Sequence, residues 1–458
     1  MNDSDMEKWL AERFRAAPHP EPSERLQQAV DADRIGASVS RGSIGPSRAL
    51  GLFGRRPLLA GLVGLAATAV LAAGLLAVVA NRPTQTPAAP GGAIEWQPST
   101  QVSGFTFALG PYLASAGGRL YLVGSIAVMG GSSATEVWSS ADGARWQRVA
   151  ESGAFDKSGS GVAAAGISDD GNGGLVVVGS IGSTAPMAWH SPDGRTWTQA
   201  DVGAAGSGEL KRVAARPGAI VAFGDWMAPV SVGGTANGQR ANQLGVWFSA
   251  NGNTWGQVVL PDSVGYTPSA LTAWKGGFAA VAQKGTGALV SSIWTSTDGR
   301  TWEKTSSDLV GFGATAMAAL GDRVVAVGSR LDQSVKLGLF PASWSSADGR
   351  TWTESSVFTR DPAVMFDDVT AVGGTLVAIG SSHMISPESA GDMTTPPPTP
   401  SESVWTSTDG TAWRLLAEVT SPKFGFYLNT HITSLGGRVV VATQSAGAVE
   451  VFLGDLVP

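Results

Sequence analysis

The side chains best placed to do chemistry recur as a set. Six times between positions 137 and 413 a Trp, a Ser, an acidic or amide residue, a Gly and a second Trp return in order. The copies are VWSSADGARW (137–146), AWHSPDGRTW (188–197), VWFSANGNTW (246–255), IWTSTDGRTW (293–302), SWSSADGRTW (343–352) and VWTSTDGTAW (404–413). Their carboxylates, Asp142, Asp193, Asp298, Asp348 and Asp409, are replaced in the third copy by Asn251. A catalytic or metal role is one reading of such a series. The Gly that follows each points to another: Asp or Asn in that position accepts the N–H groups of a tight turn, and Gly tolerates the positive φ the turn needs. The boxes are therefore expected to be structural staples. Each closing Trp can bury about 150–250 Å², worth at most about 4–6 kcal/mol.

Other chemistry is sparse. The absence of cysteine excludes disulfides, thiolate metal sites and a cysteine nucleophile. The four histidines, His19, His190, His383 and His431, show no metal-ligand spacing, so neither a metal nor a cofactor is expected. Asp169, Asp170 and Asn172 offer oxygens among glycines but match no complete calcium site, and a plain turn is favoured. A glycosidase would need two facing carboxylates. Asp225 with Asp361 or Asp367 is the pair to test, although no spacing singles it out.

The elements that must carry these residues follow from a second repeat ahead of each box. GRLYLVGS (118–125), GGLVVVGS (173–180), GAIVAFGD (218–225), GGFAAVAQ (276–283), DRVVAVGS (322–329), GTLVAIGS (374–381) and GRVVVATQ (437–444) each place a short apolar run after a turn. One unit thus reads as strand A, a Gly-rich turn, apolar strand B, a loop, strand C ending in the box, and strand D. Its length of roughly 50 residues is that of a four-stranded propeller blade. The expected fold is all-β, a seven-bladed β-propeller over 93–458. The seventh unit stops before a strand D, and WQPSTQVSGF (96–105) aligns with WQRVAESGAF (146–155). Residues 93–98 are therefore expected to supply the missing outer strand and close the ring, removing the free edges of an open array.

In such a blade the A–B and C–D turns share one face, and the B–C and D–A loops the other. The B–C loops vary from a few residues (181–187) to about twenty (226–245 and 382–401), so binding is expected on their face. Candidates there are Asp225, Trp226, Met227, Arg240, Phe358, Arg360, Asp361 and Phe366, with Tyr266, Phe424, Phe426 and Tyr427 as further aromatics. These aromatics either meet a ligand or pack their own loops. The B-strand ends, Ser125, Ser180, Asp225, Gln283, Ser329, Ser381 and Gln444, are expected around the channel mouth, facing ligand or water. MTTPPPTPSES (393–403) reads as a solvated insertion or a projecting arm.

The boxes resemble the Asp-box (BNR) repeat of the sialidase-like propeller superfamily. The resemblance extends over 93–458, with boxes one residue shorter than the usual form and with Arg145 and Ala412 in place of Thr in the first and sixth copies. It implies a propeller and, as one activity, sialidase-like glycoside hydrolysis. That chemistry uses an arginine triad and a Tyr–Glu pair. The Arg-Ile-Pro motif is absent where GPYLASAGG (110–118) stands, only four tyrosines exist, and Arg145, Arg195, Arg300 and Arg350 sit in box turns. The favoured function is a binding or scaffold propeller that takes a glycan, peptide or protein.

Ahead of the repeats, Leu58 to Ala80 is an uncharged run of 23 residues, about 35 Å long as a helix against a hydrocarbon core of about 30 Å. Arg41, Arg48, Arg55 and Arg56 precede it and only Arg82 follows closely. The positive-inside rule then puts the N-terminus in the cytoplasm and the propeller outside. A cleaved signal peptide is the alternative to an anchor. The expected organisation is a cytoplasmic tail (1–56), a transmembrane helix (57–80), a linker (81–92) and the propeller. Ser4-Asp5-Met6-Glu7 is a capping box for a short amphipathic helix bearing Trp9, Leu10 and Phe14, which would dock a cytoplasmic partner or rest on the inner leaflet. An anti-sigma-like signalling role is a further alternative. A net charge of −6 leaves no basic field for nucleic acid.

Overall fold

The computed structural model describes residues 93–457 except 98–99, 103–108, 128–132, 151, 156–160, 182–184, 204–206, 233–234, 259, 285–289, 333–337, 357–363, 383–401, 420–429 and 446–447. All belong to the second of two units, Gln85–Pro458. The tail, the 57–80 segment and the linker lie outside the described residues. Among the described residues no helix is long and apolar enough to cross a membrane.

Seven antiparallel sheets form, one per repeat, each ordered A-B-C-D. Blade 1 comprises Leu109–Ala116, Arg119–Ala127, Ser133–Ser140 and Gln147–Ala150. Blades 2 to 6 repeat it, with A strands at Val162–Asp169, Gly208–Arg216, Tyr266–Trp274, Phe312–Leu320 and Val364–Val372. In blade 7, Thr430–Leu435, Arg438–Ser445 and Ala448–Val457 are completed by Ala93–Trp96 and Thr100–Val102, which both pair with the 448–457 strand. The Gln97 N–H donates to the Leu453 carbonyl at 2.9 Å, and Thr100 lies opposite Val451 as Ala150 lies opposite Val137 in blade 1. Trp96 and Trp146 thus occupy equivalent places, and the outer strand expected from the N-terminal side is present.

The central stretches of the B strands are apolar because both of their faces are covered. Leu175–Gly179 and Gly277–Ala282, for example, are buried at every position, as expected for a strand packed on both sides. Their alternate side chains feed apolar clusters that lie between neighbouring blades. The cluster between blades 7 and 1 contains Leu120, Leu122, Val440, Val449, Leu453 and, from the N-terminal strand, Val102. The clasp therefore closes with a packed core as well as with hydrogen bonds.

The expected twenty-residue loop at 226–245 is corrected by the structure. The B and C strands of blade 3 run on as Ala219–Val232 and Thr235–Ser249 and stay paired to Val232↔Thr235. They meet on either side of Gly233-Gly234, a dipeptide suited to a two-residue hairpin connection.

Candidate functional site

The box turns have the geometry of staples. Asp193 Oδ1 accepts the N–H groups of Arg195 (2.8 Å) and Thr196 (2.7 Å), and Ser191 Oγ accepts that of Gly194 (2.8 Å). Asp142, Asp298, Asp348 and Asp409 repeat the arrangement. Turn amides hold the exposed Asp142, Asp193 and Asp348 carboxyls below the ordinary carboxylate range. Asn251 accepts the equivalent pair at longer distances, 3.0 and 3.2 Å, as loss of the charge requires. The Gly carbonyl of five boxes takes the closing indole N–H, as from Trp302 to Gly299 at 3.0 Å. In the sixth, Trp413 donates instead to Ser343 Oγ of blade 5 at 2.8 Å. A Cβ on Gly143 would lie 2.5 Å from Leu453 of blade 7, so the box also lets adjacent blades approach.

The channel wall is a different kind of surface. In blades 1 to 6 the A–B register slips once at an equivalent place, between Leu109/Tyr112, Ala164/Gly166, Leu210/Arg212, Pro268/Ala270, Ala314/Ala316 and Phe366/Asp368. Each slip is a β-bulge that leaves an unpaired residue and re-aims side chains. Opposite it in five of those blades stands the Gly of the recurring Val-Gly-Ser type of sequence. A Cβ on Gly328 would meet the Gly313 carbonyl at 2.0 Å, and one on Gly224 the Glu209 carbonyl at 1.8 Å. Blade 4 carries Ala282 instead.

The bulges bring a polar group together at the channel. Tyr112, Arg212, Gln283, Thr315, Asp367 and His431 line one cavity of about 350 Å³. All except Gln283 also line a neighbouring space of about 150 Å³, together with Asp368. Arg212 donates from Nε to the Ser269 carbonyl and from Nη1 to the Lys211 carbonyl, both at 3.0 Å. Its Nη2 has no partner among the described residues. Asp368 Oδ2 accepts from His431 Nδ1 (3.2 Å) and from the Ile432 N–H (3.1 Å), while Oδ1 accepts from the Val369 N–H (2.8 Å). A carboxylate can only accept, so Nδ1 carries a proton and Nε2, which has no partner among the described residues, is left toward a ligand. The Tyr112 ring lies 5.2 Å from that imidazole. Burial pushes the Tyr112 phenol up, partly opposed by the Arg212 charge, and keeps it a donor at neutral pH.

The residues expected at this face scatter. Gln283 lines the cavity and donates to the Ala314 carbonyl at 2.7 Å. Asp225 is ion-paired with Lys211, which also lies 3.7 Å from Glu209. Trp226 packs beside the cluster between blades 2 and 3. Gln444 is half-buried, opposite Val449. Arg360, Asp361 and Tyr427, like Phe358, Phe424, Phe426, His383 and positions 393–401 of the expected insertion, lie outside the described residues, whereas its last two residues, Glu402 and Ser403, are corrected by the structure: they open the C strand of blade 6, paired with Ser381 and Gly380. Two expected loop aromatics are core instead: Phe366 packs on Trp405 and Trp413, and Tyr266 sits edge-on to Trp294 at 5.1 Å. Three of the B-strand serines are closed off from the mouth. Ser125, Ser180 and Ser329 are buried, and Ser125 accepts the Ala164 N–H across blades 1 and 2. Of the proposed carboxylate pair, Asp367 faces the channel while Asp225 is occupied by Lys211.

Elsewhere, Asp170 accepts from the Asn172 and Gly174 amides and pairs with His190 at 2.9 Å, as a turn and not as an open cluster. Among the described residues no three His, Asp or Glu side chains are grouped to hold a metal. A larger, open cleft of about 450 Å³ on the box side is lined by Phe248, Asn251, Gln257 and Arg300, with the Arg300 guanidinium 4.1 Å over the Phe248 ring. Arg212, Asp368 and His431 were missed as site residues because the sequence reading sought the channel lining on the B strands. The recurring B-strand Gly was the available signal, since a Gly inside a strand marks a bulge or a close backbone approach.

No family model matches the chain, and no curated protein matches it. Among solved structures, the polysaccharide lyase Uly1 is similar with 7% identity over 82% of this chain and 94% of its own, at a TM-score of 0.46. The Trypanosoma rangeli sialidase shares 14% identity over 80% of this chain and 60% of its own, at 0.40. The six-bladed fungal lectin of Aleuria aurantia shares 14% over 68% and 95%, at 0.38.

Proposed function

We propose that this chain is a membrane-tethered binding propeller, anchored through residues 58–80 with the blades outside the cytoplasm, that recognises a glycan, peptide or protein at the open end of its channel. One observation carries the binding reading. Arg212 Nη2, His431 Nε2 and the Tyr112 phenol, from three different blades, line one cavity without protein partners for those atoms among the described residues. None of the three is sealed in the core, and fixed polar groups that converge on one concave surface are suited to orient a ligand. The cavity volume sits at the low end of the range of about 300–1,000 Å³ usual for small-molecule sites.

The anchor rests on the apolar length and the arginine asymmetry of the N-terminal segment. The test uses the full chain in lipid nanodiscs on immobilised glycan and peptide arrays. Capture should fall at least tenfold in the Arg212→Leu, His431→Leu double variant, with circular dichroism showing that the fold is kept. Capture that survives the double variant removes the channel from the reading. In intact cells, added protease should reach the blades; full protection would reverse the topology.

A further inference from the structure

We infer that the channel site is built for a neutral polyhydroxylated ligand, a sugar without an acidic group, gripped by a fixed acceptor at His431 Nε2 beside a fixed donor at Arg212 Nη2. The inference rests on the binding reading above and names its ligand class. Three features of the wall select that class.

The first is the state of His431. Asp368 takes the Nδ1 proton while its other bonds go to the Ile432 and Val369 amides. The carboxylate cannot swing away without leaving backbone N–H groups unpaired. Neutral His431 is thereby locked in the tautomer with a lone pair on Nε2, which accepts from a hydroxyl.

The second is Arg212. Two main-chain carbonyls of blades 3 and 4 fix the plane of its guanidinium, so its remaining N–H groups donate in a set direction. A hydroxyl group both donates and accepts. Neighbouring hydroxyls of one sugar can therefore satisfy His431 and Arg212 together, with the Gln283 carbonyl oxygen and the Tyr112 phenol able to take others.

The third is charge. The cavities are lined by Arg212 of blade 3 and by Asp367 and Asp368 of blade 6. Two carboxylates outnumber one guanidinium there. An anionic ligand would enter an acidic surround. A neutral one is not opposed.

The experiment is calorimetric titration of the full chain in nanodiscs with methyl glycosides of glucose, galactose, mannose and fucose, and with glucuronate and N-acetylneuraminate. At least one neutral glycoside should bind, at least tenfold tighter than either acid. Asp368→Ala should weaken that binding at least tenfold, because it removes the oxygen that holds the imidazole proton on Nδ1 and so unlocks the tautomer. With four histidines in the chain, selective ¹⁵N-His labelling reads that tautomer directly, separating this effect from misfolding. His431→Gln serves as a second variant that keeps a hydrogen-bonding side chain, and should retain weak binding. Tighter binding of an acid overturns the neutral class while leaving a channel-binding propeller. Absence of binding by every sugar also overturns it; array capture that still depends on Arg212 and His431 would then show that the broader reading stands.

Discussion

At the scale of single residues, the same side-chain type does opposite work according to its partner. The box aspartates are saturated by turn amides and have little left for a ligand, whereas Asp368 spends its bonds on orienting a histidine. The depressed box carboxyls give stability a pH dependence. A carboxyl held below its unfolded value of about 3.9 stabilises the fold above that pH and loses the contribution as pH falls through its folded value. Asp142, Asp193 and Asp348 act in that sense. Asn251 shows that an amide can fill the place. An Asp193→Asn, Asp348→Asn double variant is therefore expected to melt slightly lower at pH 7 but to lose less on acidification from pH 5 to 2. Thermal melts across that range check it; parallel acid limbs for variant and wild type would mean the carboxylates carry no net linkage.

At the scale of elements, two devices are repeated in almost every blade, and blade 7 departs from both. Its outer strand arrives from the other end of the chain without a box, so Trp96 has no box Gly beneath it and its buried Nε1 is unpaired. Trp302 is 6% exposed and donates to Gly299. Trp302→Ala should cost about 3–5 kcal/mol, and Trp96→Ala less by about 1 kcal/mol or more, the worth of one hydrogen bond plus the smaller burial. Chemical denaturation of the two variants decides it. Equal losses would mean the indole–carbonyl bond adds nothing. The box repeat and the terminal alignment were legible because each is a local signal: turn chemistry in one case, strand spacing in the other. The bulge was not read, although its glycine was visible, because a Gly in a strand does not reveal which partner residue is pushed out.

At the scale of the whole molecule, the ring stands or falls at the seam between blades 7 and 1. Strands from both ends of the chain meet there, and Val102 is 2% exposed among Leu120, Val449 and their neighbours. Val102→Asp would bury an uncompensated charge at the closure, at a cost of about 3–5 kcal/mol. Val310, 71% exposed, offers the matched control, and Val310→Asp should be nearly silent. Denaturant titration of both variants tests the seam. Similar curves would show that closure contributes little, and a broadened transition for Val102→Asp alone would show that it couples the blades.

The amino-acid sequence alone determined the number of blades, the role of the box and the origin of the last outer strand. These follow from turn residues, alternation and apolar runs, whose physics acts over a few neighbours. The polar group at the channel was decided only by the tertiary structure. Tyr112, Arg212, Asp368 and His431 are widely separated along the chain and sit in repeats that look alike. Their meeting depends on bulges that re-aim the A strands and on a closure that sets blade 7 beside blade 1. No local pattern carries that information, because curvature accumulates blade by blade and the channel exists only once the ring is shut.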